Sequence, residues 1–483
     1  MTEVQSMNLT KADRPPEHTR PAAAVLLAAS LVTAVALMSY TAPMLTLPGM
    51  TADFHTPLSA QAWLLNGTPL GLAAALLVAG SLADDYGRRR AFLTGTFALA
   101  ATIALGALAT STLTFTLARI AQGIASAAIV AASLGLIATA FPAGPARVRA
   151  TGIWGASVSG GIAVGPVLAG GLAELNWRAG YWVFAAITLL GGLLAFRVLP
   201  ESRAPRGGRP DLLGALTLGL ALTALTGALT LGRDGWLRLP VLLLFAAAAV
   251  GLGLFAYVER RATRGRRATR PRRATRGRRA PVIDLPLLRH PVFLASFTGA
   301  LFTGVAVIGL FSYLSALLQQ TLHMSAFATA WLFFLWAGIA FAVALQARRL
   351  AGRLAARHQL ALGFAGHAVG VLTFLGALSG GGPGSWPRLL PGLVIAGTGS
   401  GLLNAALPRI AVESVPADRV AMGSGANNTG RYIGSAAGVA LTIAVATSSS
   451  GGPAHGADVA FVVSAGLALV GAAVVLLLRP RQS

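Results

Sequence analysis

Gly80 to Phe92 reads GSLADDYGRRRAF, a short polar run between two apolar stretches of about 20 residues or more, each long enough to cross a bilayer. The run must therefore reverse the chain at a membrane surface. Asp84 and Asp85 close the first stretch and Arg88, Arg89 and Arg90 open the next. Carboxylates beside guanidiniums make charge-assisted pairs, and near the start of the following helix they also meet a favourable dipole. Gly87 permits the positive φ of a tight reversal, and Gly80 lets a neighbouring backbone come close. The arginines mark this side as cytoplasmic. A plain polar loop with a basic flank would carry the same charges, so the reading depends on what lies to either side.

Outward from that turn the chain is apolar almost throughout. Over 483 residues, 55% are hydrophobic and 11% charged, with a mean hydropathy of +0.69. Soluble domains carry about 25% charged residues, so this chain lacks the polar surface a water-soluble globule needs. It reads as an all-α integral membrane protein. Apolar stretches fall at about 22–47, 59–83, 91–110, 113–141, 150–173, 180–199, 212–231, 239–258, 291–318, 325–346, 360–379, 387–411, 419–448 and 458–478, which makes fourteen spans. The first is too long for a signal-peptide core and is read as retained. There is no cysteine, which excludes disulfides, thiolate metal sites and cysteine nucleophiles.

The basic residues test the count, because an error of one helix would invert every later loop. With both termini inside, 32 of the 38 Lys and Arg lie on the cytoplasmic side. Only Arg178, Arg233, Arg238 and Arg388 lie outside, and Arg119 and Arg431 fall within spans. That asymmetry supports an even number of spans in a plasma membrane. Much of the +23 net charge is local. Arg260 to Ala280 is a six-residue repeat, RRATRG and its variants, with 11 arginines and no acid. Such a run cannot bury a core, and beside a membrane its expected partner is anionic lipid headgroup rather than nucleic acid. The expected organisation is a tail (1–20), a six-helix bundle (21–200), two added spans (201–259), an arginine-rich linker (260–290), a second six-helix bundle (291–478) and a short tail (479–483). The added spans have no ionisable residue near mid-depth and read as lipid-facing. ARRLAGRL at Ala347–Leu354 echoes the opening motif in the second half, as internal repeats of transporters do.

Polar residues inside the spans are the candidate machinery. A mid-helix arginine costs about 2.5–3.5 kcal/mol and persists where it meets a partner or a wet cavity. Arg119 stands in LARIAQGIASAA with Gln122 at i+3, and Arg431 follows Asn427 and Asn428 in GANNTGRYIGSAAG. A snorkelling arginine near a helix end is the plainer account of either. In GGIAVGPVLAGG, Gly161, Gly165 and Gly170 bare one helix face and Pro166 removes a donor, which suits close packing and a hinge equally. Ser39, Tyr40, Asn66, Tyr313, His367 and Asn404 complete a candidate substrate cavity. His367 is the one histidine near mid-membrane, fit for proton shuttling or for an interhelical hydrogen bond. No carboxylate falls mid-span.

Together these segments resemble the major facilitator superfamily, specifically its fourteen-span drug:proton antiporter branch. GSLADDYGRRRAF resembles the signature between spans two and three, LARIAQGIASAA the fourth-span signature with its arginine, and GIAVGPVLAGG the fifth-span antiporter signature with Ala169 in place of a glycine. VPADRVAMGSGANNTGRYIGSAAGVA is similar to the thirteenth-span region, and NWRAGYWVF and LPES also fit. The resemblance implies two six-helix bundles plus two central helices, rocking about a cavity and exporting a small molecule against proton entry. It implies a latch of Gly80, Asp84, Gly87, Arg88 and Arg89, with Arg119 and Gln122 in proton coupling. It needs no cofactor beyond the proton gradient and no partner beyond substrate and lipid, with the chain a monomer. One departure matters: Ser39 stands where the branch usually has an aspartate. A cationic drug normally needs a buried carboxylate, so the expected substrate is neutral or anionic.

An importer or facilitator would share this architecture. A channel would need neither the two-half echo nor the hinge pattern. A membrane-embedded enzyme would need a nucleophile or metal site, and the chain has no HExxH and no GxSxG motif.

Overall fold

A computed structural model describes residues 19–142, 145–201, 209–210, 212–232, 235–267, 279–280, 290–350, 354–379, 382–415 and 420–478. Most of the arginine repeat and both tails lie outside the described residues. The first half comprises α1 (Thr19–Thr41), α2 (Pro43–Asp53), α3 (Gln61–Tyr86), α4 (Arg88–Ala107), α5 (Thr112–Ala140), α6 (Pro145–Ala173) and α7 (Trp177–Val198). A hairpin of α8 (Leu212–Leu231) and α9 (Leu239–Arg267) follows. The second half runs through α10 (Pro291–Phe302), a π-helical segment (Thr303–Ile308), α11 (Gly309–Thr321), α12 (Ala326–Leu350) and α13 (Ala356–Leu372). It ends in α14 (Leu390–Glu413), α15 (Val420–Ser448) and α16 (Gly452–Leu477). A two-residue pairing joins Arg209–Pro210 to Arg279–Ala280.

Helix falls in each of the fourteen expected stretches, the 360–379 one ending as a helix at Leu372, and ten helices among the described residues are long and apolar enough to cross a membrane. Leu242, Leu243 and Val250 on α9 and Leu190, Leu193 and Phe196 on α7 are exposed; their apolar side chains belong to a bilayer, not to water. The fold is an all-helical integral membrane protein.

Lipid is as apolar as the helices, so association depends on close packing. Small residues provide it. Gly71 of α3 and Gly123 of α5 lie backbone to backbone, and Gly161 and Gly165 of α6 rest on the backbone of Ala34 and Met38 in α1. Gly170 instead meets Ala326 and Ala330 of α12, in the opposite half. One bare helix face thus changes partner across Pro166.

Proline and a π turn break the first helix of each half. Pro43 has no N–H to offer the carbonyl of Ser39 four residues back, so the chain divides into α1 and α2 at Ala42. The equivalent helix of the second half divides at Thr303–Ile308. Gly304 and Gly309 there press on the backbone of α15 at Arg431–Ser435 and Gly438.

The added hairpin is not simply lipid-facing. Its helix α8 packs against α3 and α15, one from each half, with Leu218, Leu222 and Phe255 clustering around Ala73 and Ile433. Only α9 is mostly exposed, its best apolar window being 17% buried.

Candidate functional site

The halves meet chiefly along two seams, α3 with α15 and α6 with α12, and α2 also packs against α11. At the end of the molecule away from the α3–α4 turn they are joined. There Gln319 Nε2 donates to the Leu45 carbonyl at 3.2 Å and Phe327 N to Glu174 Oε1 at 3.3 Å. Mid-way, Tyr40 Oη lies 3.5 Å from Ser435 Oγ, its ring stands edge-on to Tyr432 at 6.0 Å, and Asn66 Nδ2 donates to the Ala436 carbonyl at 3.0 Å. A small recess lined by Tyr40, Pro43, Met44, Leu65, Pro69, Ser312, Ser435 and Val439 caps this level. Towards the basic end Asn404 is exposed and Arg431 half-buried, and a side chain added at Gly155, Gly160 or Gly338 would meet nothing within 4 Å. The halves are bonded together at one end, while at the basic one Arg431 and Asn404 stay accessible.

Arg119 is the most enclosed charge among the described residues of the first half, with 0% exposure. A capping box of Ser111 and Thr114 fixes the start of α5, and Arg119 projects from it into the break between α1 and α2. Its Nη1 donates to the Ser39 carbonyl and to Gln122 Oε1, both at 2.7 Å, and Nη2 to the Tyr40 carbonyl at 3.0 Å. Gln122 Nε2 in turn donates to the Thr102 carbonyl at 2.9 Å, and Ser39 Oγ donates to Gln122 Oε1 at 3.3 Å. The carbonyl left without a donor by Pro43 is therefore taken by the arginine. Three charge-assisted bonds at about 1.5–3 kcal/mol each outweigh the insertion cost of about 2.5–3.5 kcal/mol. No carboxylate takes part. Arg119 is neither near a helix end nor snorkelling.

The second half holds a different group. Arg431 Nη2 donates to Asn404 Oδ1 at 2.5 Å, and its Nε has no partner. Asn428 is half-buried one turn away. Asn427 points elsewhere, accepting from Ser296 Oγ at 3.2 Å between α15 and α10. Tyr313 is buried at 1% exposure. His367, expected in the cavity, is fully enclosed; its Nε2 lies 3.2 Å from Ser464 Oγ, which donates to the Ala306 carbonyl at 2.9 Å. Asn66 also donates to Thr230 Oγ1 of α8 at 3.2 Å. The cavity residues that face the seam are thus Tyr40, Asn66, Asn404, Asn428 and Arg431, whereas Ser39, His367 and Asn427 bond within a half and Tyr313 is buried on α11.

At the basic end Gly87 has φ 120°, the left-handed conformation that glycine alone takes freely. A Cβ there would strike the Glu201 carboxylate, which also pairs with Arg90 at 3.5 Å. Arg88 Nη1 donates to the Gly135 carbonyl at 3.1 Å, and Arg89 Nη2 to the Phe196 carbonyl at 2.7 Å with its guanidinium over the Phe196 ring. The Asp84 side chain lies outside the described residues. Gly80 makes no close approach, the Ala131 methyl being 3.9 Å from an added Cβ. Glu201, in the LPES stretch, is the acidic member of this turn that motif reading left out.

At the bonded end Asp53 accepts from Arg178 Nη2 at 2.5 Å and Trp177 Nε1 at 3.1 Å, while Arg178 Nη1 donates to the carbonyls of Ala107 and Ala109. Phe54, Phe115 and Tyr181 pack edge-to-face around Trp177. NWRAGYWVF thus fastens α2, α4 and α7 together.

Comparison with known proteins gives the same picture. The family model for the Major Facilitator Superfamily matches residues 29–214 and 212–439. The multidrug resistance protein Stp of Mycobacterium tuberculosis is 31% identical over 399 residues, covering 82% of this chain and 70% of Stp. The puromycin resistance protein pur8 of Streptomyces alboniger is 31% identical over 431 residues, covering 88% and 81%. Among solved structures, an auto-inhibited peptide transporter of the POT family superposes with a TM-score of 0.69 at 15% identity, covering 96% of this chain and 97% of that one; this likeness concerns the fold.

Proposed function

This chain belongs to the Major Facilitator Superfamily and is a membrane transporter, not an enzyme, and on that premise we propose that it exports small hydrophobic neutral or anionic compounds, antibiotics among them, by alternating access coupled to proton entry. The relatives named for multidrug and puromycin resistance support export over import. The observation that carries the choice of substrate is Arg431. It stands half-buried on the seam with its Nε unpartnered, next to Asn404 and Asn428, and no carboxylate is mid-span anywhere in the sequence. An unneutralised guanidinium beside amide groups and the Tyr40 hydroxyl suits an acceptor-rich or anionic molecule and disfavours a cation.

In this reading the basic end faces the cytoplasm, the chain crosses the plasma membrane fourteen times with both termini inside, and the protein acts as a monomer. The accessible basic end is then the mouth of the inward-facing state that loads substrate. The α3–α4 turn, with Gly87, Arg88, Arg89 and Asp84, forms the latch that closes that mouth in the alternative state. Arg119 and Gln122 organise the proton-coupled core, and Gly161, Gly165, Pro166 and Gly170 form the hinge. The arginine repeat lies on anionic headgroups, and no cofactor or nucleic acid is needed.

A resistance panel of matched neutral, anionic and cationic compounds in a host stripped of its own pumps tests this. Wild type should protect against members of the first two classes, and Arg119→Ala should not. Everted vesicles should accumulate the protected compounds only under a pH gradient; protection confined to cations would overturn the substrate assignment. A cysteine placed in the repeat of this cysteine-free chain should react with an impermeant thiol reagent only after cells are opened.

A further inference from the structure

In the proposed antiport the proton has no mid-span carboxylate to bind, and Arg119 does not release one near neutral pH. The second half contains a titratable group with an unused acceptor. Ser464 has one hydroxyl hydrogen, and it is directed at the Ala306 carbonyl at 2.9 Å. Ser464 Oγ can therefore only accept from His367 Nε2 at 3.2 Å, so the ring is held as the Nε2–H tautomer. Its Nδ1 is then a bare lone pair, buried and without a hydrogen-bond partner. Leaving such an atom unmet is costly, and the surrounding apolar packing does nothing to relieve it.

The position of this ring is as informative as its chemistry. Ala306 belongs to the π-helical segment Thr303–Ile308, so the Ser464–His367 pair grips the carbonyl row at the break in the first helix of this half. On its other side the same segment presses Gly304 against the backbone of Arg431, Gly434 and Ser435. One irregular turn therefore touches both the histidine pair and the helix that presents Arg431 to the seam; π turns of this kind recur at functional sites. Phe311 lies 6.1 Å from the His367 ring and stacks on Trp336 of α12 at 4.1 Å.

We infer that His367 Nδ1 is the proton-binding site of the transport cycle, held in one tautomer by Ser464 and linked to the Arg431 face through the π-helical turn. This rests on the proton-coupled reading above. In the enclosed arrangement seen here an imidazolium would leave its new Nδ1–H unpaired in an apolar setting, so the neutral ring belongs to this state. A proton bound at Nδ1 favours whichever arrangement wets or pairs that N–H, and the coupling to conformation is this difference between states. Other charged or titratable groups on the packed elements are Arg357 and His358 on α13, Tyr313 on α11, Arg409 and Glu413 on α14, and His455 and Asp458 on α16. Arg348 and Arg349 sit at the end of α12. Arg409 pairs with Glu413 and Asp458 accepts from the Gly376 N–H; Tyr313 lies two residues from Phe311, and the other groups stand six or more residues along their helices from the level of His367.

The sequence has seven histidines, so replacing the other six by glutamine leaves a full-length protein whose only imidazole is His367. In liposomes, nitrogen-15 NMR of that ring should show the Nε2–H tautomer at high pH and protonation of Nδ1 as the pH falls from 8 to 5. Ser464→Ala should mix the tautomers and shift the midpoint, which loss of packing alone would not do. A ring that stays neutral throughout, or that carries its proton on Nδ1 at high pH, overturns the inference whatever the protein transports. The second arm uses whichever compound shows gradient-driven uptake by wild type. His367→Gln, which keeps a donor for Ser464 but accepts no proton, should lose that uptake at least about ten-fold while retaining exchange at equal pH. Retained gradient-driven uptake in that variant overturns the inference and leaves coupled export standing, whereas absence of gradient-driven uptake in wild type counts against coupled export and leaves the NMR result to decide the site.

Discussion

The two halves of the molecule solve one problem with opposite chemistry. Each has a first helix broken at mid-depth, which frees backbone carbonyls where no water can reach them. In the first half Pro43 makes the break and a guanidinium answers it, Arg119 taking the carbonyls of Ser39 and Tyr40. In the second half a π turn makes the break and neutral groups answer it, Ser464 taking Ala306 with His367 behind. An arginine keeps its charge at every accessible pH, while an imidazole changes charge within the physiological range. The first break is therefore a fixed brace, and on the inference drawn above the second is the one that a bound proton alters.

The strongest challenge to this contrast is Arg119→Ala. It strips the Ser39 and Tyr40 carbonyls of their guanidinium donor, at about 1–3 kcal/mol for each buried group, leaves Gln122 Oε1 with only the 3.3 Å bond from Ser39 Oγ, and should abolish compound resistance and sharply lower the melting temperature of the detergent-solubilised protein. Arg119→Lys should rescue little, because a lysine cannot fork onto two carbonyls. A full rescue would mean that charge alone matters there. Next comes Gly304→Ala, whose methyl would strike the Arg431 carbonyl and Ser435 N; overpacking of this kind costs about 1–3 kcal/mol. Scanning fluorimetry should show that loss, while Gly466→Ala, where an added Cβ meets nothing within 4 Å, stays near wild type. Pro43→Ala follows at roughly 1 kcal/mol, since an alanine in that place can offer the Ser39 carbonyl the N–H that proline lacks and so compete with Arg119. Its transport should fall up to about ten-fold, and an unchanged rate would separate the break from the brace. The mildest is Ser39→Asp, which places a carboxylate beside Arg119 and should extend the resistance spectrum towards cationic compounds without removing the original one.

Much of this was legible in the chain. The arginine asymmetry and the four motif regions pointed to an all-helical transporter, and Arg119 with Gln122 was visible as a buried pair one turn apart. What escaped depends on long-range contacts. Nothing local says that Pro43 and Arg119 will meet, although proline supplies the unmet carbonyl and arginine the donor. FTGVAVIG carries no local mark of a π turn, and only the fold shows its glycines seated against the α15 backbone. Glu201 reads as the end of LPES until the fold lays it against Gly87. His367 has the polarity of a cavity residue, and only packing against α16 shows that its bond runs inward. The apolar run of α8 looks like any lipid-facing span, since the partners that cover it lie on α3 and α15.

Because α8 lies over the groove between α3 and α15, with Asn66 bonded at once to Thr230 and Ala436, one flank of the molecule is shuttered against the surrounding lipid. Among the described residues no helix lies over the other flank, between α6 and α12. Under the export proposed above, a greasy compound entering sideways from the leaflet at the basic end would reach Arg431 past the glycine-lined wall of α6 rather than past the hairpin.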